Sequence, residues 1–234
     1  MLRLYTILFH LLLPIIILRL LWRSLRAPDY RRRWPERFGI FPGFGVERSI
    51  WIHAVSVGEV QAAERLVKRL QESHPDLPLV ITTTTPTGSD RVRSLFGDSV
   101  LHVYDPYDIP LALNGFIQNA RPCLLVMMET EVWPNMLAIC ERQGIPTILA
   151  NARLSARSAA GYARWPEFTR ETFGRIGLVA AQSKADAGRF LNLGVAPERI
   201  EVTGSIKFDL RLPASLHEDA QVLRRLWGTD RSVG

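Results

Sequence analysis

Residues 51–60 read WIHAVSVGEV, and the fold is read outward from them. A short apolar strand breaks at Gly58 and runs into a helix. In that helix Val60, Ala63, Leu66, Val67 and Leu70 recur at helical spacing and form one apolar face. The turn therefore joins the C-terminal end of a strand to the N-terminal end of a helix. In open α/β sheets, ligands bind in the crevice at such strand ends. Glu59 stands at the helix start, where unpaired N–H groups and the helix dipole favour an ionised carboxylate. Two readings follow: an acid that only complements the dipole, or a general base for a hydroxyl brought within reach.

Beyond this stretch the chain alternates. Residues 79–83 form a strand, TTTTPTG follows, and a helical stretch runs from Ser89. Residues 100–103 are a short strand and 109–117 suit a helix. CLLVMM (123–128) is a continuous apolar run, as in a strand buried on both faces, and it ends in ETEVWPN before helix resumes at Met136. Strands at 146–150, 177–181 and 200–202 complete the pattern, with NARLS after the first of these and a helix from about Ser155. The alternation predicts an α/β fold with a Rossmann-like parallel sheet covered on both faces. No internal repeat or low-complexity tract interrupts it.

The chain has 234 residues, 47% of them apolar, which supports one large or two small domains and excludes a disordered chain. Its net charge of +6 is uneven. Arg19, Arg23, Arg26, Arg31, Arg32, Arg33 and Arg37 follow or flank an apolar N-terminus, a pattern suited to anionic lipid rather than nucleic acid. Residues 4–22 are almost wholly apolar, interrupted by His10, Pro14 and Arg19, and as a helix would extend about 28 Å. No small-residue cleavage site follows, and six arginines beyond the run against Arg3 before it keep the remainder cytoplasmic. Residues 1–26 are thus expected to be a membrane-anchor helix, either spanning or interfacial. Residues 27–48, rich in Pro and Gly, lead into the core. Their RWPERFG segment, with Glu36 and Arg37, either grips a head group or is a plain connector. Cys123 and Cys140 lie in apolar runs and read as buried free thiols.

Polar groups gather at predicted strand ends. Glu59, with Ser56 and Gly58 in the same turn, follows the first strand; Thr84, Thr85 and Gly88 lie in the threonine turn; Glu129 and Glu131 end CLLVMM. Parallel strands bring these ends to one side. Two carboxylates in one crevice push their pKa values apart, which favours a base near neutral pH. The threonine turn suits phosphate or sugar oxygens, or is an ordinary turn. Asn151 and Arg153 of NARLS are candidates for anion recognition, and Lys207 of GSIKFD for balancing a phosphate or carboxylate; a solvated surface role is open for both cations. His53 reads as a core histidine. There is no GxGxxG, Walker loop, HExxH or GxSxG motif, and no cluster suggests a metal or a cofactor.

In this order and spacing, WIHAVSVGE, TTTTPTG, METEVWPN, NARLS and GSIKFD behind an apolar N-terminus resemble the Kdo transferases of lipopolysaccharide assembly, Kdo being 3-deoxy-D-manno-octulosonic acid. The resemblance implies an inverting glycosyltransferase of two-domain GT-B architecture. Such an enzyme moves Kdo from CMP-Kdo to a lipid A precursor (lipid IVA) at the cytoplasmic face of the inner membrane, without a metal. It places the general base at Glu59 and transition-state stabilisation at Glu129 and Lys207. The substrate-binding candidates are then Arg37, Ser56, Gly58, Thr84, Thr85, Gly88, Glu131, Asn151 and Arg153. Residues 27–212 are expected to form the acceptor-binding domain, with 213–234 the start of a linker to a nucleotide-sugar domain that this sequence lacks. Ser205 stands where the family more often has Asn. The rival readings are another GT-B enzyme or epimerase relative, and a non-catalytic, membrane-tethered binding module.

Overall fold

A computed structural model of the chain describes residues 1–206. Seven parallel strands form one sheet in the order β3-β2-β1-β4-β5-β6-β7. They are β1 (Ser49–His53), β2 (Leu79–Thr83), β3 (Leu101–Tyr104), β4 (Pro122–Met128), β5 (Thr147–Ala152), β6 (Leu178–Ala181) and β7 (Ile200–Val202). The helices are α1 (Leu2–Arg26), α2 (Val57–Ser73), α3 (Pro86–Phe96), α4 (Pro110–Ala120), α5 (Pro134–Arg142), α6 (Ala156–Tyr162), α7 (Pro166–Phe173) and α8 (Lys184–Asn192). The Rossmann-like parallel sheet expected from the alternation is present, preceded by the apolar helix.

Alternation along the strands divides the core in two. Ile50, Ile52, Val126 and Met128 face α2 and α3, packing with Val60, Val67, Val92 and Phe96. Trp51, Leu125 and Met127 face the other way, against Phe116 of α4 and Leu137 of α5. Period-two side chains buried on both faces explain why the central strands read as continuous apolar runs. Chain order reverses between β1 and β4, whose Trp51 and Leu125 pair directly. Helices from these two strands leave to opposite faces, so a crevice opens above their C-terminal ends.

Several boundaries differ from the sequence reading. β1 stops at His53 and α2 begins at Val57, because Ser56 caps it by accepting the N–H of Glu59. Gly58 is thus inside the first turn rather than at a break. α3 begins at Pro86 rather than Ser89, since Thr85 accepts the N–H of Gly88 as its cap and Pro tolerates the first helical turn. β5 continues through Asn151 and Ala152, so the first two residues of NARLS belong to the strand. Cys140 is buried, whereas Cys123 is only half-buried; both are free thiols.

The connector of residues 27–48 forms two short 3-10 turns and clamps onto the sheet. Arg33 donates to Glu36 (2.6 Å) and to the carbonyl of His102 in β3 (2.7 Å), while Glu36 accepts the N–H of Tyr104 (2.8 Å). RWPERFG is therefore a connector whose charges are held by the protein itself. Gly39 closes it. Its φ is +72°, and a Cβ there would lie 2.1 Å from the carbonyl oxygen of Ala112 in α4. Gly39→Ala combines left-handed strain with a backbone clash and is expected to destabilise the protein by about 2–4 kcal/mol. Chemical denaturation would show this as a lower midpoint with an unchanged slope.

Candidate functional site at the strand-order reversal

Glu59 occupies the α2 side of the crevice. Ser56 donates to its Oε1 (2.7 Å), the N–H of Val55 donates to Oε2 (2.9 Å), and the N–H of Glu59 returns to Ser56 Oγ (3.3 Å). This is a variant of the capping box, S-x-x-E, in which the carboxylate reaches back to the N–H of Val55, one residue before the cap. Glu59 as a whole residue is only 7% exposed. Burial raises its pKa, the neighbouring Glu131 adds to the rise, and the bonds from Ser56 and Val55 oppose it; the result is about 7. The dipole argument expected a fully ionised group, and burial outweighs it. A carboxyl balanced at neutral pH is better suited to take up and release a proton than a fully ionised one.

The β4 side supplies Glu129 and Glu131. Glu129 has φ +56° while its N–H still bonds the carbonyl of Ala150, so the chain turns sharply at the end of the ladder. Arg153 approaches its carboxylate at 3.9 Å and is itself largely exposed. Glu131 accepts from the indole of Trp133 (2.9 Å), and that ring meets His53 edge-on at a centroid distance of 4.6 Å. Glu59 and Glu131 thus approach from opposite sides of the reversal.

Beneath them lies a buried polar layer that sequence reasoning saw only in part. His53 was expected in the core and is fully buried there. Its Nδ1 lies 3.0 Å from Asp105, just beyond β3. Burial alone would lower the His53 pKa, but the Asp105 charge and hydrogen bond outweigh it and hold the imidazole raised; the same pairing holds Asp105 low against its own burial. Asp105 also accepts from Thr84 (2.8 Å). No motif marked Asp105, because its partner lies fifty-two positions away and meets it only through the sheet.

Several candidates are occupied internally. Arg37 is 3% exposed, donates to the carbonyl of Thr84 (2.8 Å) and lies 4.4 Å over the ring of Tyr104. Thr84 is held by Asp105 and Arg37, and Thr85 caps α3. Gly88 packs tightly, since a Cβ there would lie 3.1 Å from Thr83. These residues build the floor and rim of the crevice. Asn151, with φ +52°, accepts the N–H of Ile206 (3.2 Å) and so ties NARLS to the start of GSIKFD. Lys207 lies outside the described residues. Gly58 is exposed, and a Cβ on it would meet nothing nearer than 3.9 Å. A hollow of about 610 Å³ beside it is lined by Gln61, Glu64, Arg65, Lys68 and Ile206, and another of about 550 Å³ by Thr130, Arg153, Ser155, Ser158, Asp186 and Arg189. Lys68 is paired with Glu64 (2.6 Å) and Arg189 with Asp186 (3.3 Å), while Arg65 and Arg153 are the further cations of the two linings. Among the described residues no three His, Cys, Asp or Glu side chains are grouped to hold a metal.

Residues 32–210 match the family described as 3-deoxy-D-manno-octulosonic-acid transferase (kdotransferase). A 3-deoxy-D-manno-octulosonic acid transferase of Haemophilus influenzae is 41% identical over 231 residues, 98% of this chain and 54% of the relative. One of Bordetella pertussis is 36% identical, covering 89% of this chain and 50% of the relative. The chain spans about half the length of these curated relatives. Among solved structures, the UDP-GlcNAc 2-epimerase of Neisseria meningitidis bound to UDP-GlcNAc superposes with a TM-score of 0.51 at 17% identity, over 76% of this chain and 50% of that one. That likeness is one of fold.

The raised pKa has a stability signature. Glu59 is protonated more readily folded than unfolded, so folding gains most below the ordinary carboxylate range. That gain declines as pH rises from about 4.5 to about 7 and is absent above, a difference of up to about 3 kcal/mol. Glu59→Gln is expected to remove this slope and to be relatively more stable at pH 8 than at pH 5. Denaturation of both proteins across that range measures it.

Proposed function

Because the chain belongs to the 3-deoxy-D-manno-octulosonic-acid transferase family, we propose that it forms the acceptor-side half of an inverting enzyme. That enzyme transfers Kdo from CMP-Kdo to a lipid A precursor, lipid IVA, in lipopolysaccharide biosynthesis at the cytoplasmic face of the inner membrane. Residues 27–212 are the acceptor-binding domain in this reading, and the CMP-sugar is held by the remainder of the longer protein. The observation that carries the proposal is Glu59: a nearly buried carboxyl at the strand-order reversal, with a pKa of about 7.

In the transfer, Glu59 accepts the proton of an acceptor hydroxyl as that oxygen attacks the anomeric carbon of Kdo. The bond from the anomeric carbon to the CMP phosphate oxygen breaks on the opposite face, and its electron pair leaves with CMP. Inversion follows from this in-line displacement. The sugar gains positive character as the bond breaks, which the carboxylate of Glu129 offsets. Lys207 balances the Kdo carboxylate or the departing phosphate. Arg153, beside Glu129, and Arg65 of the other hollow supply anion recognition for a phosphorylated acceptor. Open backbone at Gly58 admits the acceptor close to the base.

Glu59→Gln in the full-length protein keeps the shape of the capping box and removes the base. Transfer measured with CMP-Kdo and lipid IVA is expected to fall by about 10²–10⁴-fold, with acceptor binding retained. The wild-type rate is expected to rise with pH through about 7, as Glu59 loses its proton. Transfer at the normal rate by the Gln variant removes Glu59 from this role.

A further inference from the structure

α1 is docked on the globular body at its N-terminal end, and its C-terminal end folds back onto the connector that follows it. Tyr5, Phe9, Leu13, Ile16, Leu20 and Ser24 recur every three or four residues, and each is half-buried or buried. That spacing is a single helical face running nearly the whole length of α1. The opposite face, Leu4, Leu8, Leu11, Ile15, Leu18 and Trp22, is 50–67% exposed and wholly apolar.

Directional bonds hold the N-terminal end on the domain and the C-terminal end on the turn that follows it. Tyr5 donates to Asp108 (2.9 Å) and Thr6 to Asn135 (2.8 Å), while the Tyr5 ring lies 5.7 Å from that of Phe168 in α7. Asp108 is buried and also accepts the N–H groups of Asn135 and Met136 at the start of α5. It is therefore part of the sheet domain's frame. At the far end Ser24 is buried and accepts from Arg31 (3.0 Å), and the connector then returns along β3. Its Arg37 carbonyl accepts the N–H of Tyr107, the residue before Asp108. The chain thus leaves and re-enters the domain at neighbouring points. A helix crossing a bilayer would carry Tyr5 about 30 Å from that place.

We propose that α1 lies in the plane of the membrane surface, its N-terminal end docked on the domain and its apolar face in the acyl boundary of an anionic bilayer, with the N-terminus on the cytoplasmic side. The inference rests on the membrane location proposed above and names its geometry. Arg19, Arg23 and Arg26, all exposed at i, i+4 and i+7, form a column beside the apolar face and meet lipid phosphates there. In a spanning helix His10 and Arg19 would instead face hydrocarbon. Two further exposed apolar side chains belong to segments that hold the N-terminal end of α1: Leu111, three residues after Asp108, and Trp165, three before Phe168. The crevice at the strand-order reversal is thereby held against the lipid surface, with no travel required of an acceptor across the bilayer.

The test uses the full-length protein in a Gram-negative host, with Cys123→Ser and Cys140→Ala as background. In inverted inner-membrane vesicles, Thr6→Cys with Asn135→Cys is expected to form a disulfide in most molecules on mild oxidation. Separately, Arg3→Cys is expected to resist a membrane-impermeant maleimide in intact spheroplasts and to react in inverted vesicles. Labelling of Arg3→Cys in spheroplasts, or no cross-link in a membrane-bound and active double variant, overturns the in-plane helix and leaves the proposed reaction standing. Recovery of the protein in the soluble fraction after low-salt sedimentation overturns the membrane location itself and the inference with it.

Discussion

The site depends on one reciprocal contact, the capping box between Ser56 and Glu59. The bonds that start α2 are the bonds that hold the carboxyl. A free glutamate on a helix surface would sample many rotamers, whereas this one is fixed through both oxygens. The same burial that fixes it opposes its ionisation, and the Glu131 charge from across the reversal adds to that effect. Local helix chemistry and the electrostatics of the crevice therefore cannot be separated at this residue.

The crevice itself is a consequence of strand order. β1 and β4 are adjacent, and their following segments diverge to opposite faces. The gap between them would fill with ordinary side chains were it not supported from below. His53, Asp105, Thr84 and Arg37 form that support, a hydrogen-bonded line running from β1 past the ends of β2 and β3 to the connector. Pairing permits the His53 and Asp105 charges to be buried, while Arg37 is held by the Thr84 carbonyl and the Tyr104 ring. The connector, Pro-rich and charged, therefore completes the floor of the crevice rather than presenting its arginines to solvent. α1 enters at the same point, because Asp108 both caps α5 and receives Tyr5.

The element alternation, the central strands and the position of Glu59 were legible in the sequence because each is a local signal: apolar runs for β1 and β4, helical spacing for α2, and Ser56 three residues before Glu59. Helix starts were legible to within a turn, and those at Thr85 and Ser56 moved because capping by a side chain competes with the turn reading of the same residues. The threonine turn shows the limit. Threonine and glycine in that arrangement suit a phosphate equally well on paper, and the partners of Thr84 are Asp105, just beyond β3, and Arg37 of the connector.

The sequence alone determined the sheet class, the apolar helix with its basic flank, and the acids at strand ends, because periodicity and residue type carry that information over a few neighbouring positions. Only the tertiary structure decided which acids face one another, that Arg37 and Thr84 are turned inward, that Asn151 holds the segment before Lys207, and that the N-terminal end of α1 docks on the domain. Each of these joins residues far apart in the chain. Their pKa values and partners depend on burial and on charges brought near by the fold, which no run of sequence encodes by itself.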